Sequence, residues 1–182
     1  PFLLDSHWQT HSTNISYVKK ADQDLSDCDG FITRERNIYL IVKSADCVPL
    51  IFADKKNGLI GISHQGWRGT LERMAVKMVN ELLDYGAEIS QLQVMVGPAI
   101  CEQHYKVSME LYWEFARRFK LKGRPGCLDL QKINYQQLLT TGLLPEQLEQ
   151  VKHCTYNEPE LFYSYRRTAG EKRRMINFIV MK

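Results

Sequence analysis

Two short apolar runs joined by a turn constrain this chain more than any other feature. VPLIFAD (48 to 54) and GLIGIS (58 to 63) each have the composition of a β-strand and end at turn residues. The KKNG stretch between them is a hairpin signal. NIYLIVK (37 to 43) and LQVMVG (92 to 97) predict further strands on either side. This part of the chain is therefore predicted to form a sheet with a hairpin in it.

Helical spacing follows the hairpin. Apolar residues recur on one helix face from Thr70 to about Tyr85, and Gly86 supplies a stop signal. Two further helices are predicted at 108 to 120 and at 130 to 142, and Asp129 is placed to cap the second of them.

The end of the chain returns to strand patterns, at 151 to 156, 161 to 165 and 175 to 182. Strands mixed with helices, with a hairpin among them, predict an α+β fold with mixed sheets. The sequence shows no internal repeat and no Pro/Gly/Ser-rich linker, so a single domain is predicted over residues 1–182.

Composition excludes several classes of protein. The net charge of +3 is small and its charges of both signs are interspersed, so no basic face for nucleic acid is expected. No apolar run approaches the roughly 20 residues of a membrane span. The N-terminus also lacks the basic-then-apolar profile of a signal peptide, so a cytoplasmic protein is predicted. The 5 cysteines include no CxxC pair, which predicts reduced thiols. The chain opens with PFLLDSHW and lacks an initiator Met, so a preceding segment is expected to be missing.

Cys47 and His64 are the first candidates for chemistry, because each lies where a predicted strand ends. Side chains at strand ends can face a cleft while the sheet holds their positions. Three interpretations stay open for this pair: buried core residues, a thiol nucleophile with its base, or two ligands of a metal.

His11 decides between these interpretations if the fold brings it to the other two residues. Two imidazoles and one thiolate suit zinc with a fourth position open for water or substrate. The spacing of the three residues does not form a local zinc loop, so only the fold can show that they converge. His7, His104 and His153 are weaker candidates for a metal site.

Two stretches could bind an anion. In HQGWRGTL, Arg68 precedes a predicted helix that starts at Thr70, and a helix start attracts phosphate. In FYSYRR, Tyr165 is followed by Arg166 and Arg167, which suits stacking and bidentate anion contacts. Packing of Trp67 with a surface ion pair of Arg68 is the structural alternative for the first stretch.

Four motifs resemble one known family in the same order along the chain. SADCVPL, HQGWRGTL, GPAIC…YKV and CTYNEPELFYSYRR are similar to the motifs TADCLPV, HAGWRG, GPAIG…YEV and CTY…PELFFSYRRD of the YfiH, or laccase-domain, family. Its members have been named polyphenol oxidases and, later, purine nucleoside enzymes. Ser12, Gln65 and Cys127 depart from the residues usual at their positions, and the TRxGG segment that opens the family's sequences is absent.

The resemblance implies a fold, a site and an activity. The fold is a multilayer sandwich of two mixed β-sheets with flanking helices, and the metal ligands are His11, Cys47 and His64. The implied activity is zinc-dependent phosphorolysis of adenosine, inosine, guanosine and methylthioadenosine, together with deamination of adenosine. Cys47, His64 and Arg68 would be the catalytic residues, and Arg68, Thr70, Tyr165 and Arg166 would bind nucleoside and phosphate.

Three alternatives remain at this point. Copper-dependent oxidation of phenols follows from the family's older name, although copper oxidases rely on imidazoles and the chain has only 5 histidines. A cysteine hydrolase would use Cys47 as nucleophile and His64 as base. A metal-binding module without catalytic activity is the third. The oligomeric state is left open.

Overall fold

The computed structural model describes residues 2–5, 9–20, 22–121 and 123–182, and it gives residues 2–5 as backbone alone. The strands are β1 (Phe2–Asp5), β2 (Ile15–Tyr17), β3 (Gly30–Thr33), β4 (Ile38–Ser44), β5 (Val48–Asp54), β6 (Leu59–Gln65), β7 (Leu92–Val96), β8 (Leu148–Gln150) and β9 (Met175–Val180). The α-helices are α1 (Trp67–Leu71), α2 (Met74–Asp84), α3 (Met109–Phe119) and α4 (Leu130–Leu139), and a 3₁₀ turn spans Pro145–Gln147.

The strands form two mixed sheets. The larger has the order β2-β3-β6-β5-β7-β8, with parallel pairs at both edges and antiparallel pairs between them. The smaller has the order β1-β4-β9, in which β1 is parallel and β9 antiparallel to β4. The predicted hairpin is confirmed as the antiparallel β5–β6 pair. Together with the helices, the sheets confirm the predicted α+β class.

The larger sheet is the middle layer of the molecule. One apolar cluster joins it to the helices and includes Phe52, Met78 and Phe115. A second cluster joins its other face to the smaller sheet and includes Phe31, Leu40 and Ile62. Strand β6 is buried along its whole length because it is covered on both faces.

The helix predicted from Thr70 to Tyr85 is two helices. Arg73, with φ of 59°, adopts the left-handed conformation between α1 and α2 and so breaks the helix. Leu71 and Met74 on either side of the break belong to the same core cluster, so the apolar spacing continues across it. The prediction of one continuous helix was wrong because the spacing of apolar residues indicates which side chains are buried. It does not reveal the backbone angle of a single polar residue such as Arg73.

The strands predicted at 151 to 156 and 161 to 165 were also wrong. The strand of this region is β8, just before the first range. In the second range the amides of Leu161 and Phe162 bond to the Glu158 carbonyl at 3.1 and 3.0 Å, so the segment is a turn. The aromatic residues of this segment have the composition of a strand, which explains the prediction. The side chain of Tyr165 is nevertheless 56% exposed, so the aromatic pattern does not mark a buried strand face.

Helices α3 and α4 confirm the predictions at 108 to 120 and 130 to 142, with slightly shorter bounds. Asp129 caps α4 as predicted, since its Oδ1 accepts from the Lys132 amide at 2.9 Å. Among the described residues no helix has both the length and the apolar character needed to cross a bilayer.

Candidate metal centre

The loop that carries Cys47 crosses from one sheet to the other. It occupies residues 45–47, between the end of β4 in the smaller sheet and the start of β5 in the larger sheet. Asp46, in the middle of the loop, has φ of 90° and is almost fully buried. Its carboxylate accepts from Thr155 Oγ1 and from the Arg166 amide, both at 2.7 Å. These contacts hold the loop and thereby fix the position of Cys47.

His64 lies near the end of β6, opposite Pro49 of β5, and only 3% of it is exposed. Its Nδ1 lies 2.8 Å from Oδ1 of Asp29, which is fully buried. Asp29 Oδ2 accepts from the amides of Thr10 and Ser12, at 3.1 and 2.9 Å. The carboxylate therefore orients the His64 ring and leaves Nε2 as the nitrogen that can bind a metal.

His11 enters from the segment before β2, where it adopts φ of 60°. Gly66 is essential to this arrangement, since a Cβ at that position would lie 2.5 Å from His11 Cδ2 and 3.5 Å from Cys47 Sγ. The glycine of the HQGWRG motif thus makes room for the imidazole. Its φ of −75° is ordinary, so space alone explains why glycine is required.

The three predicted ligands converge. One ligand atom from each of His11, Cys47 and His64 lies within 4.8 Å of the others. The His11 Nε2 to Cys47 Sγ distance is 3.9 Å, and the two imidazole rings meet edge to face with centroids 4.9 Å apart. A pair of imidazoles and a thiolate is a donor set that zinc accepts.

The electrostatics of this group favour a thiolate. Burial by itself would raise the pKa of Cys47, but the positive charge of His64 and hydrogen bonds from both histidines outweigh it and lower the pKa to about 6. Burial would likewise lower the pKa of His64, yet the Cys47 charge and the Asp29 hydrogen bond raise it to about 9. Cys47 and His64 are therefore an ion pair at neutral pH when no metal is present.

A cavity of about 550 Å³ opens above the three residues. This volume is in the range of small-molecule sites. Besides His11, Cys47 and His64, its lining comprises Gln9, Lys43, Ser44, Ala45, Asp46, Trp67, Tyr105, Tyr165, Arg166 and Arg174. The lining combines aromatic rings with cationic groups, which suits a ligand that has a flat ring and an anion.

Tyr165 and Arg166, which the family resemblance implies as substrate contacts, both line this cavity. Arg166 Nη1 donates to the Lys106 carbonyl at 2.7 Å, and its guanidinium lies 5.1 Å from the centre of the Tyr105 ring. Arg167 lies outside the lining and bonds instead to the carbonyls of Thr155, Tyr156 and Phe162.

The two residues of the predicted phosphate site are placed differently. Arg68 is exposed and lies outside the cavity lining; it stacks on Trp67, which does line the cavity, with 4.5 Å between the guanidinium carbon and the ring centre. Thr70 is fully buried, and its Oγ1 accepts from Asn134 at 2.9 Å. Its amide bonds to the Gly66 carbonyl at 2.9 Å, so neither group of Thr70 faces the cavity.

The remaining histidines lie away from the cavity or outside the described residues. His104 lies beside Cys101 and Cys154, and His153 Nδ1 lies 2.7 Å from Oε2 of Glu158. His7 falls outside the described residues.

Sequence reasoning missed several groups of the site, above all Asp29, Tyr105 and Arg174. Asp29 had no local signal, because its partner is 35 positions away. Asp46 could have been found, since it precedes Cys47 in the ADC motif and a buried acid beside a ligand often has an orienting role.

Comparison with known proteins agrees with the sequence motifs. A sequence model of the family described as multi-copper polyphenol oxidoreductase laccase matches residues 4–182. Purine nucleoside phosphorylase YlmD of Bacillus subtilis (strain 168) is 33% identical over 193 aligned positions, which cover 96% of this chain and 69% of that protein. Adenosine deaminase RL5, from an unknown prokaryotic organism, is 30% identical over 192 positions, covering 96% of this chain and 73% of that one.

A solved structure shows the same fold. The crystal structure of the hypothetical protein YfiH of Bacillus licheniformis superposes with a TM-score of 0.89 at 31% sequence identity, covering 99% of this chain and 74% of that chain. The match extends over both sheets and the helices. With the motifs, the fold and the converging Cys/His residues in agreement, this chain belongs to the YfiH family, whose description is multi-copper polyphenol oxidoreductase laccase.

Proposed function

We propose that this protein is a zinc-dependent purine nucleoside enzyme. It would cleave adenosine, inosine, guanosine and methylthioadenosine with phosphate and deaminate adenosine. The observation that carries the proposal is the convergence of His11, Cys47 and His64 within 4.8 Å beneath a cavity of about 550 Å³. The reaction types are taken from the names of relatives, a purine nucleoside phosphorylase and an adenosine deaminase.

The donor set fits zinc. Cys47 has a pKa of about 6 and so offers a thiolate at neutral pH, and Asp29 orients His64. Three protein donors leave a coordination position open, as in catalytic zinc sites. When bound, zinc supplies Lewis-acid activation of water near neutral pH, which deamination requires.

The aromatic residues of the cavity would hold the nucleoside. Trp67, Tyr105 and Tyr165 offer ring faces on which a purine can stack. Burial holds the pKa of Tyr105 well above its usual range, so its hydroxyl stays protonated and can donate a hydrogen bond to the substrate.

The cationic residues would hold phosphate. Arg166 and Arg174 line the cavity, and Arg68, outside the lining, stacks on the lining residue Trp67. Guanidinium groups bind oxyanions through paired hydrogen bonds. The backbone carbonyl of Lys106 and the aromatic ring of Tyr105 fix the direction of Arg166, so little side-chain entropy is lost when the anion binds.

The experiment is product analysis of adenosine turnover with and without phosphate. Deamination uses water, so inosine should form in either buffer, whereas free purine base should form chiefly when phosphate is present. Chelation of the metal should stop deamination, and added zinc should restore it. Full turnover after verified metal removal would contradict the proposal, as would phenol oxidation that scales with bound copper while nucleosides stay unchanged.

A cysteine hydrolase is the second candidate, and one specific observation favours it. Cys47, His64 and Asp29 form a thiolate, an imidazolium and an orienting carboxylate in series. The two candidates differ in their response to metal. Removing zinc stops the nucleoside enzyme, whereas in the hydrolase it would free the thiolate and raise activity.

A further inference from the structure

A second group of soft donor atoms lies outside the cavity lining. Cys101 Sγ is 3.2 Å from His104 Nδ1, and Cys154 Sγ is 2.9 Å from Cys101 Sγ and 3.9 Å from His104 Nδ1. All three side chains are partly buried. The purine nucleoside chemistry proposed above uses none of them.

Two features of the backbone bring these side chains together. Cys101 and His104 share one turn, in which the His104 amide donates to the Cys101 carbonyl at 3.0 Å. Their CxxH spacing, in CEQH, is a short spacing of the kind found in zinc sites. Cys154 is brought alongside by a parallel bridge to Ala99, in which the Thr155 amide donates to the Ala99 carbonyl at 3.1 Å.

The surroundings support a bound cation. The Cys101 amide donates to Cys154 Sγ at 3.3 Å, a contact that stabilises a metal-bound thiolate. The His104 ring is stacked on Tyr156, with centroids 4.2 Å apart and an interplanar angle of 9°, so its orientation is fixed.

We propose that Cys101, His104 and Cys154 form a second zinc site. Two thiolates and one imidazole match the preference of this borderline-soft divalent ion. On binding, Zn²⁺ takes the electron pairs of both sulfurs and of His104 Nδ1, and the two thiol protons pass to the buffer. Water or another ligand completes the coordination.

The position of the second site gives the ion a structural role. Tyr105 follows His104 directly and lines the cavity, and Arg166 Nη1 bonds to the Lys106 carbonyl one residue further on. A metal bound by Cys101, His104 and Cys154 would therefore stabilise the segment that places Tyr105 and Arg166 in the cavity lining. The proposal does not depend on the reaction at the first site.

The test uses Cys47→Ala, which removes a ligand of the first site, as the background. By elemental analysis, the Cys47→Ala protein should retain about one zinc per chain, whereas the protein with Cys47 intact should hold about two. Adding His104→Ala or Cys154→Ser should abolish the remaining zinc. His153→Ala is the matched control, since His153 adjoins Cys154 but its Nδ1 contacts Glu158, and this variant should keep the zinc.

Cobalt(II) gives a second readout. In the Cys47→Ala background it should produce thiolate-to-metal charge-transfer absorption that Cys101→Ser and Cys154→Ser remove, singly or together. Zinc should also raise the melting temperature of the Cys47→Ala protein but not that of the variant lacking both thiols, whose fold circular dichroism verifies. The proposal is overturned if the folded Cys47→Ala protein binds no zinc, if His153→Ala loses zinc as His104→Ala does, or if Cys101 and Cys154 are joined by a disulfide in protein purified anaerobically.

Discussion

Oδ1 of Asp29 lies 2.8 Å from Nδ1 of His64, and both side chains are shielded from solvent although 35 positions separate them in the sequence. Because the other carboxylate oxygen is held by the amides of Thr10 and Ser12, the acceptor is fixed on the side of the imidazole. His64 therefore keeps its proton on Nδ1 and presents Nε2 to the metal centre. A buried carboxylate therefore sets the orientation of a candidate metal ligand.

Asp29→Asn should weaken zinc binding at the first site by about 10- to 100-fold. The amide oxygen must take the place of Oδ2 to accept from Thr10 and Ser12, so the amide nitrogen faces His64 and forces the proton onto Nε2. Zinc affinity measured by competition with a chromophoric chelator reports the change.

Asp54→Asn is the control for that experiment. Asp54 is also fully buried and accepts amide hydrogen bonds, from Asn57 and Glu88, but it lies outside the cavity lining. It should lose stability without losing zinc affinity. Equal losses of affinity in the two variants would show that Asp29 acts only through general stability.

Alkylation of Cys47 by iodoacetamide in metal-free protein should follow a titration with a midpoint near pH 6. His64 lowers the pKa to about 6, so the reactive thiolate is present above that pH and is lost as the pH falls through it. Mass spectrometry of the Cys47 peptide gives the rate at each pH. Saturating zinc should suppress the reaction.

Cys28 is an internal control in the same digest. Burial and the neighbouring carboxylate of Asp29 raise its pKa, so its alkylation should appear only in alkaline buffer. Coincident pH profiles for Cys28 and Cys47 would contradict the ion pair between Cys47 and His64.

Gly66→Ala should displace His11 and weaken zinc binding, at a cost in stability of roughly 1–3 kcal/mol from overpacking. The new methyl would lie 2.5 Å from His11 Cδ2. Gly69→Ala, in the same motif, meets its nearest atoms only at 3.6 Å and lies inside α1, so it should change stability by no more than about 1 kcal/mol and leave zinc affinity intact. Calorimetry and zinc titration of both variants test this contrast, and similar zinc affinities would refute the close-packing argument.

Arg68→Ala and Arg166→Lys should each raise the phosphate KM of nucleoside cleavage by roughly tenfold, the value of one hydrogen bond to a charged group. Zinc content and melting temperature should change little. Arg117→Lys, on α3 and outside the cavity lining, is the matched control. An unchanged phosphate KM in Arg68→Ala would make that residue a structural partner of Trp67 alone.

Thr70→Val should leave the phosphate KM unchanged, because Thr70 is buried and its groups bond to Gly66 and Asn134. Losing the hydroxyl that accepts from Asn134 should cost about 1 kcal/mol of unfolding free energy. Urea denaturation and phosphate kinetics on the same preparation check both parts. A large rise in KM with normal stability would support the prediction that Thr70 binds phosphate.

The sequence by itself determined the local elements. The hairpin signal KKNG fixed the β5–β6 pair, and apolar spacing with the Asp129 cap located the helices near their true bounds. These features arise from turn chemistry and burial periodicity, which act over a few residues. The same signals failed at Arg73 and at residues 161 to 165, where a backbone angle and turn hydrogen bonds took precedence over the apolar pattern.

Only the tertiary structure decided which side chains meet. The motifs and the family resemblance proposed His11, Cys47 and His64, but their distances follow from the packing of one sheet on the other and from the space left by Gly66. Asp29 beside His64 and Cys154 beside Cys101 had no sequence signal, since each pair is joined by strand pairing or bridging across long separations. Interactions between residues close in sequence determine the helices and strands. Ligand residues that are far apart in sequence come together only through the strand register and the packing of layers in the whole fold.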